Sequence, residues 1–246
     1  FFGFFYYVAA ILFVKYIAPK IFESNIPTIP ELFLHSFGKW PAIVSIVCVI
    51  VMITPAPYLK ILADLFTHMW NIPKFTALIL GIVFSLTYAF TGGFSSVVRT
   101  DKLQFILMFT GFAVLLFSCY SEYGGIFFLL SNTPDFAFSI PGNFNWTFIF
   151  VWGFIATITF IDPGFYHRTF ASSSLETVKK GIVISVLFWI VFDFMTVFTG
   201  LYALAVLPTI ESSPYLDLSS KVLPPVAQGL FFVSLFAIIM STIDSF

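Results

Sequence analysis

The chain has 246 residues, a mean hydropathy of +1.01, 59% hydrophobic residues and only 9% charged ones. Soluble domains carry nearer ~25% charge, so the composition describes an integral membrane protein and excludes a water-soluble globule. The formal net charge of −1 gives no basic surface for nucleic acid.

Apolar runs recur along the whole length, which indicates several membrane passes rather than one buried core. About seven segments are long enough for the ~30 Å hydrocarbon core. The first covers Phe1 to Ile17 and is expected to end at Pro19. The second covers Trp40 to Phe66, the third Phe75 to Phe90, and the fourth Leu103 to Tyr120. The fifth covers Trp146 to Ile161, the sixth Gly181 to Leu207, and the seventh is the run from Pro225 to Phe246. Segments this long and uniformly apolar point to helices, because every backbone group in lipid needs an internal partner. The expected class is an all-α membrane protein in contact with the lipid bilayer of a cytoplasmic or plasma membrane. With the first segment running inward, Lys15, Lys20, Lys39, Arg99, Lys102, Arg168, Lys179 and Lys180 fall on the inner side, as the positive-inside bias requires. Trp40, Trp70 and Trp146 mark segment ends, where an amphipathic ring suits the interface. The chain opens on Phe1 inside an apolar run and reads as a single membrane-embedded domain, residues 1–246, cut from a longer polypeptide at both ends.

In chain order, Pro30 suits the start of a short amphipathic helix, with Thr28 near its cap and Glu31 favouring the dipole. Pro55 and Pro57 kink the second segment. Lys60 and Asp64, four apart, share a face and are expected to neutralise each other. Gly92 and Gly93 allow a turn after the third helix, and Thr100 with Asp101 reads as the cap and first turn of the fourth. Capping does not account for Gln104, which enters the membrane on the face of Asp101. Asp162 precedes a helix-breaking Pro163–Gly164. It is either an acid on a substrate or ion path, or an interfacial acid paired to Arg168. Asp193 lies about twelve residues into the sixth segment, too deep for an unaccompanied charge, and is expected to meet a cationic group or to be protonated. Thr157 and Thr159 are expected to bond back to their own helix. The histidines His35, His68 and His167 are spread over separate loops, and Cys48 and Cys119 carry no metal or disulfide spacing. In the last segment Ser241 and Thr242 stand side by side near Asp244. Such hydroxyls either bond to their own carbonyls or offer hard oxygens to a cation such as sodium. No nucleophile–base pair is present, so no enzyme chemistry is expected.

Four patches carry a family resemblance. T-G-G-F-S-S-V-V-R-T-D-K-L-Q, residues 91–104, resembles the G-G-x-x-x-V-x-x-T-D-x-x-Q signature of the sodium:solute symporter family, which includes sodium/proline, sodium/pantothenate and sodium/glucose carriers. I-P-T-I-P-E-L-F-L-H-S-F-G is similar to that family's T-x-P-E loop, with His35 and Ser36 around the usual arginine position. F-I-D-P-G-F-Y-H-R-T-F-A-S-S-S resembles its Q-R-x-x-A-A segment, with His167 in place of glutamine. A-I-I-M-S-T-I-D-S is similar to its A-x-x-M-S-T-x-D-S helix. The resemblance implies a partial leucine-transporter-type fold of inverted repeats, running from the second to the eighth core helix. It implies a sodium ion held by the Ser241 and Thr242 hydroxyls and the Ile238 carbonyl, with partners on a first core helix outside the chain. It places Asp101 on the ion's route to the cytoplasm and Asp162 with the substrate; the depth of Asp193 in its segment makes it a second candidate for the substrate. The implied function is sodium-driven uptake of a small organic solute of the amino acid, vitamin or sugar class. The alternative is a sensor of symporter-like fold feeding a signalling kinase.

Overall fold

The computed structural model describes residues 2–24, 26–210 and 213–243. Among these the regular structure is all helical. Six helical stretches are long and apolar enough to cross a membrane: Gly3–Ser24, Lys39–Trp70, Val98–Tyr123, Trp146–Phe170, Leu175–Val206 and Pro225–Ile243. The third expected segment lies in the helix that begins at Lys74. Large apolar side chains such as Phe117, Phe150 and Phe154 stand outward on these helices. Water would penalise that surface; lipid does not.

The first helix does not end at Pro19. Helix α1 (Phe2–Leu12) widens into a π-turn at Phe13–Ile17 and continues as α2 (Ala18–Ser24). Proline has no N–H to offer the carbonyl four residues back. The wider turn just before it absorbs that lost bond, so the helix carries through. Thr28 then caps α3 (Ile29–Phe37), its Oγ1 accepting from Glu31 N at 3.3 Å, with Pro30 in the first turn. The second expected segment is broken rather than kinked. Helix α4 (Lys39–Met52) stops ahead of Pro55 and α5 (Ala56–Trp70) restarts beyond it. The following helical residues are α6 (Lys74–Tyr123), α7 (Ile126–Asn132), α8 (Trp146–Ile155), α9 (Pro163–Phe170), α10 (Leu175–Val206), α11 (Pro214–Val222) and α12 (Pro225–Ile243).

The contacts divide the chain into two compact units. One comprises Phe1–Thr54 and Ile140–Asp193. Its core gathers Phe13, Ala18, Ile21, Ile29, Tyr166 and Val178, and the rings of Phe13 and Phe165 meet edge to face at 5.2 Å. The other comprises Pro55–Ser139 and Phe194–Phe246. Its core joins Leu62, Leu65, Phe66, Ala77, Leu216, Ile239 and Met240.

In the second unit α6 is not one straight rod. Asp101 meets Ser241 of α12, and the rings of Phe112 and Phe231 lie 5.3 Å apart. These contacts run α6 and α12 antiparallel. Phe84 meets Phe236, also on α12, at 5.1 Å. Extending the arm straight back from Asp101 would carry Phe84 about 25 Å past the Ser241 end of α12, at 1.5 Å per residue. Phe84 and Asp101 therefore do not lie along one straight axis. Thr100 lies within α6 and does not cap a helix start, contrary to expectation.

Candidate sodium site on the seam between α6 and α12

The apolar run from Pro225 forms a single helix, α12, and brings Ser241 and Thr242 to its last turn. Being adjacent, the two hydroxyls point about 100° apart, as 3.6 residues per turn dictates. Their partners differ accordingly. Ser241 Oγ donates to Asp101 Oδ1 at 2.8 Å. Thr242 Oγ1 donates to the Ile238 carbonyl at 2.9 Å, one turn back. Thr242 thus bonds its own helix, and Ser241 crosses to an acid. Neither bond removes the oxygen as a ligand, because a hydroxyl that donates its proton keeps two lone pairs. Asp244 lies outside the described residues.

Close approach of the two helices makes this possible. A Cβ added to Gly111 would sit well under 3.0 Å from the Cβ and Oγ of Ser234, with the Phe231 Cα at 3.6 Å behind them. Ser234 and Phe231 are fully buried. Small residues on facing helices let backbones come close in a membrane, and here the pair is Gly111 and Ser234. The sequence reading missed both. An isolated glycine inside an apolar helix facing a serine was the available signal.

The other singled-out acids lie elsewhere. Asp162 and Asp193 belong to the first unit. Between α8 and α9 the chain narrows to a 3-10 stretch, Ala156–Ile161. Asp162 then caps α9, its Oδ1 accepting from Phe165 N at 2.9 Å. It therefore begins a helix rather than ending one. Gly164 leaves room there: an added Cβ would meet Asp162 Oδ1 at 3.0 Å and Arg168 Nη1 at 3.1 Å. Asp193 Oδ2 accepts a hydrogen bond from the Tyr7 phenol of α1. The expectation was a cationic group or protonation; the bond described here comes from a neutral donor. A Cβ on Gly3 would come within 2.5 Å of Asp193 Oδ2 and 2.6 Å of Tyr7 Oη, so the pair needs a glycine beside it. Nothing in the sequence singled out Tyr7 from the other tyrosines.

Two smaller expectations resolve in opposite ways. Asp64 pairs with Lys74 at 3.0 Å rather than with Lys60. Thr157 Oγ1 bonds the Phe154 carbonyl at 2.7 Å, as a back-bonding threonine should.

Six helical stretches long and apolar enough to cross a membrane describe a multi-pass membrane protein. The chain belongs to the sodium:solute symporter family, which it matches over residues 1–246. It is 28% identical to the sodium/pantothenate symporter of Haemophilus influenzae, over 91% of this chain and 49% of the relative. It is 25% identical to the sodium/glucose cotransporter of Vibrio parahaemolyticus, over 90% of the chain and 45% of the relative. It is 26% identical to the sodium/proline symporter of Haemophilus influenzae, over 91% and 49%. The chain spans about half the length of the curated relatives it matches.

Proposed function

We propose that the protein carrying this chain couples sodium entry to uptake of a small organic solute across a cytoplasmic or plasma membrane. The observation that carries the reading is the Ser241–Asp101 hydrogen bond beside the Thr242–Ile238 pair. Two hydroxyls, a carbonyl and a carboxylate are the hard oxygens that sodium takes. In this reading Ser241, Thr242 and the Ile238 carbonyl hold the ion, with further ligands outside the chain. Asp101 draws the Ser241 hydroxyl proton toward itself, so the Ser241 lone pairs turn away toward the ion. As the ion leaves, Asp101 is the next anionic group on its way.

The solute reading rests on the interrupted helix of the first unit. The narrowed stretch before Asp162 frees backbone groups, which is how discontinuous helices make substrate sites. Asp162 and Asp193 are assigned to that region, with Asp193 held in one orientation by Tyr7. The relatives' names span a vitamin, a sugar and an amino acid, so the solute belongs to that range of small polar molecules. No covalent step is required: one sodium ion crossing 100 mV supplies about 2.3 kcal/mol, roughly fifty-fold accumulation of a neutral solute. The relatives matched over nine-tenths of the chain are named as carriers, and the sensor alternative gains no support from them.

The test is uptake by the full-length protein in proteoliposomes. Radiolabelled pantothenate, glucose and proline form the starting panel. A sodium gradient should drive accumulation of at least one such solute, and Ser241→Ala combined with Thr242→Ala should abolish the sodium dependence. Uptake that ignores sodium would end this reading. Asp193→Asn with unchanged uptake would remove that residue from the solute path.

A further inference from the structure

The first unit holds a cavity that neither the sodium site nor the solute region uses. It is formed by α9, α10 and the turn between them, and its volume is about 460 Å³. Along α10 it follows residues 177, 181, 185 and 189, the i, i+4, i+8, i+12 spacing of one helix face. That face rises about 18 Å, a little more than one leaflet's share of the ~30 Å hydrocarbon core. The two ends differ in chemistry. At the turn stand Arg168, Thr169, Ser172 and Thr177. Farther in are Ile182 and the rings of Phe165 and Trp189, which meet edge to face at 6.0 Å.

The polar end is incompletely satisfied. Ser172 Oγ donates to the Arg168 carbonyl at 2.7 Å, and the Ser174 and Thr177 hydroxyls bond each other at 2.8 Å. Thr169 is only 1% exposed, yet its Oγ1 has no hydrogen-bond partner among the described residues. A buried hydroxyl left unpaired costs free energy, and valine has the same shape without that cost. The Arg168 guanidinium comes to this corner beside Asp162: an added Gly164 Cβ would meet Nη1 at 3.1 Å and Asp162 Oδ1 at 3.0 Å. Five N–H donors in a fork let a guanidinium serve a carboxylate and a second anion together. Glu176 and Lys180 pair with each other at 2.7 Å and add no net charge to the mouth.

We infer that this cavity seats a phospholipid of the inner leaflet. Its phosphodiester takes the Arg168 guanidinium and the Thr169 hydroxyl, and one acyl chain runs along the α10 face toward Phe165 and Trp189. Arg168 is among the cations that the positive-inside bias gives to the cytoplasmic side, which sets the polar end at headgroup level. Basic pockets between membrane helices on that side suit phosphate headgroups. An apolar helix would fill the greasy end alone, because its carbonyls are spent on its own hydrogen-bond ladder. A phosphodiester brings anionic oxygens and carries its chain with it.

The experiment uses the purified full-length protein, stripped of lipid in detergent. Bound lipid is counted by native mass spectrometry. Thermal stabilisation is titrated with phosphatidylglycerol, with diacylglycerol of the same chains, and with inorganic phosphate. Phosphatidylglycerol should be retained and should stabilise; the other two each lack half of the ligand and should need about ten-fold more. Thr169→Val should raise the half-saturating phosphatidylglycerol concentration about ten-fold, with the lipid-free protein as stable as before or more so. Gly181 lines the cavity, and a Cβ there would meet nothing within 4 Å. Gly181→Phe therefore sets a ring in the cavity and should displace the lipid. Wild-type lipid affinity in both variants would overturn the proposal, as would equal stabilisation by diacylglycerol. Inorganic phosphate that protects as well as the lipid and ignores Gly181→Phe would make this a free-anion site and overturn the lipid. A wild type that retains no lipid would mean that another segment covers the cavity, which overturns it too. Should Gly181→Phe fail to fold, Thr169→Val decides alone.

Discussion

Replacing Gly111 by alanine sets two effects of opposite sign against each other. Inside a helix, alanine is favoured over glycine by roughly 0.5–1 kcal/mol, because glycine loses more backbone freedom on ordering. The new methyl, however, would lie well under 3.0 Å from Ser234, closer than real Cβ atoms come. Turning the Ser234 hydroxyl aside does not help, since its Cβ is also in the way and the Phe231 backbone stands behind. The helices must part until ordinary contact at 3.4 Å or more is regained. Overpacking of this kind costs about 1–3 kcal/mol, so against the helix gain the clash wins with a net loss of up to about 2.5 kcal/mol. The same parting pulls on the Ser241–Asp101 bond, which has no slack at 2.8 Å. Thermal unfolding of the full-length protein in detergent should therefore fall by several degrees, and the sodium concentration for half-maximal stabilisation should rise. Adding Ser234→Gly moves the small residue to the other helix and should restore both. Gly111→Ala with wild-type stability and wild-type sodium response would refute the seam as the element that sets the site.

Three further outcomes follow from bonds in the structure. Tyr7→Phe removes the donor to Asp193 and should destabilise the protein by about 1–2 kcal/mol in thermal or denaturant unfolding, since an acceptor inside the membrane loses a partner. Asp162→Ala removes the cap of α9 and should cost about 1 kcal/mol, with Asp162→Asn retaining most of it, as read by the same unfolding measurement. Lys74→Ala breaks an ion pair whose lysine is 75% exposed, and should change the unfolding midpoint by no more than a surface pair does, about 0–1 kcal/mol.

Much of the fold was written in hydropathy, because lipid demands long apolar runs and gives each helix a visible length. The local chemistry of Thr28 and Pro30 was equally legible, since a cap is decided within four residues. The breaks were harder. Pro55 ended a helix while Pro19 did not, and the difference lies in the π-turn that absorbs the second proline, which no local pattern announces. The partners of acids were the least legible. Asp64 chose Lys74 over the nearer-seeming Lys60, and Asp193 met the phenol of Tyr7. Such choices depend on how separate helices are placed, not on spacing within one. For the proposed sodium site, the motif supplied Ser241, Thr242 and Asp101, but the meeting of Ser241 and Asp101 across a seam closed by Gly111 and Ser234 is a property of packing alone.

The central claim is tested most directly by sodium binding to the purified full-length protein, compared between the wild type and the Ser241→Ala, Thr242→Ala double variant. The account predicts saturable binding in the first and its loss in the second, with the folded state intact in both. Equal sodium affinity in the two proteins would contradict it.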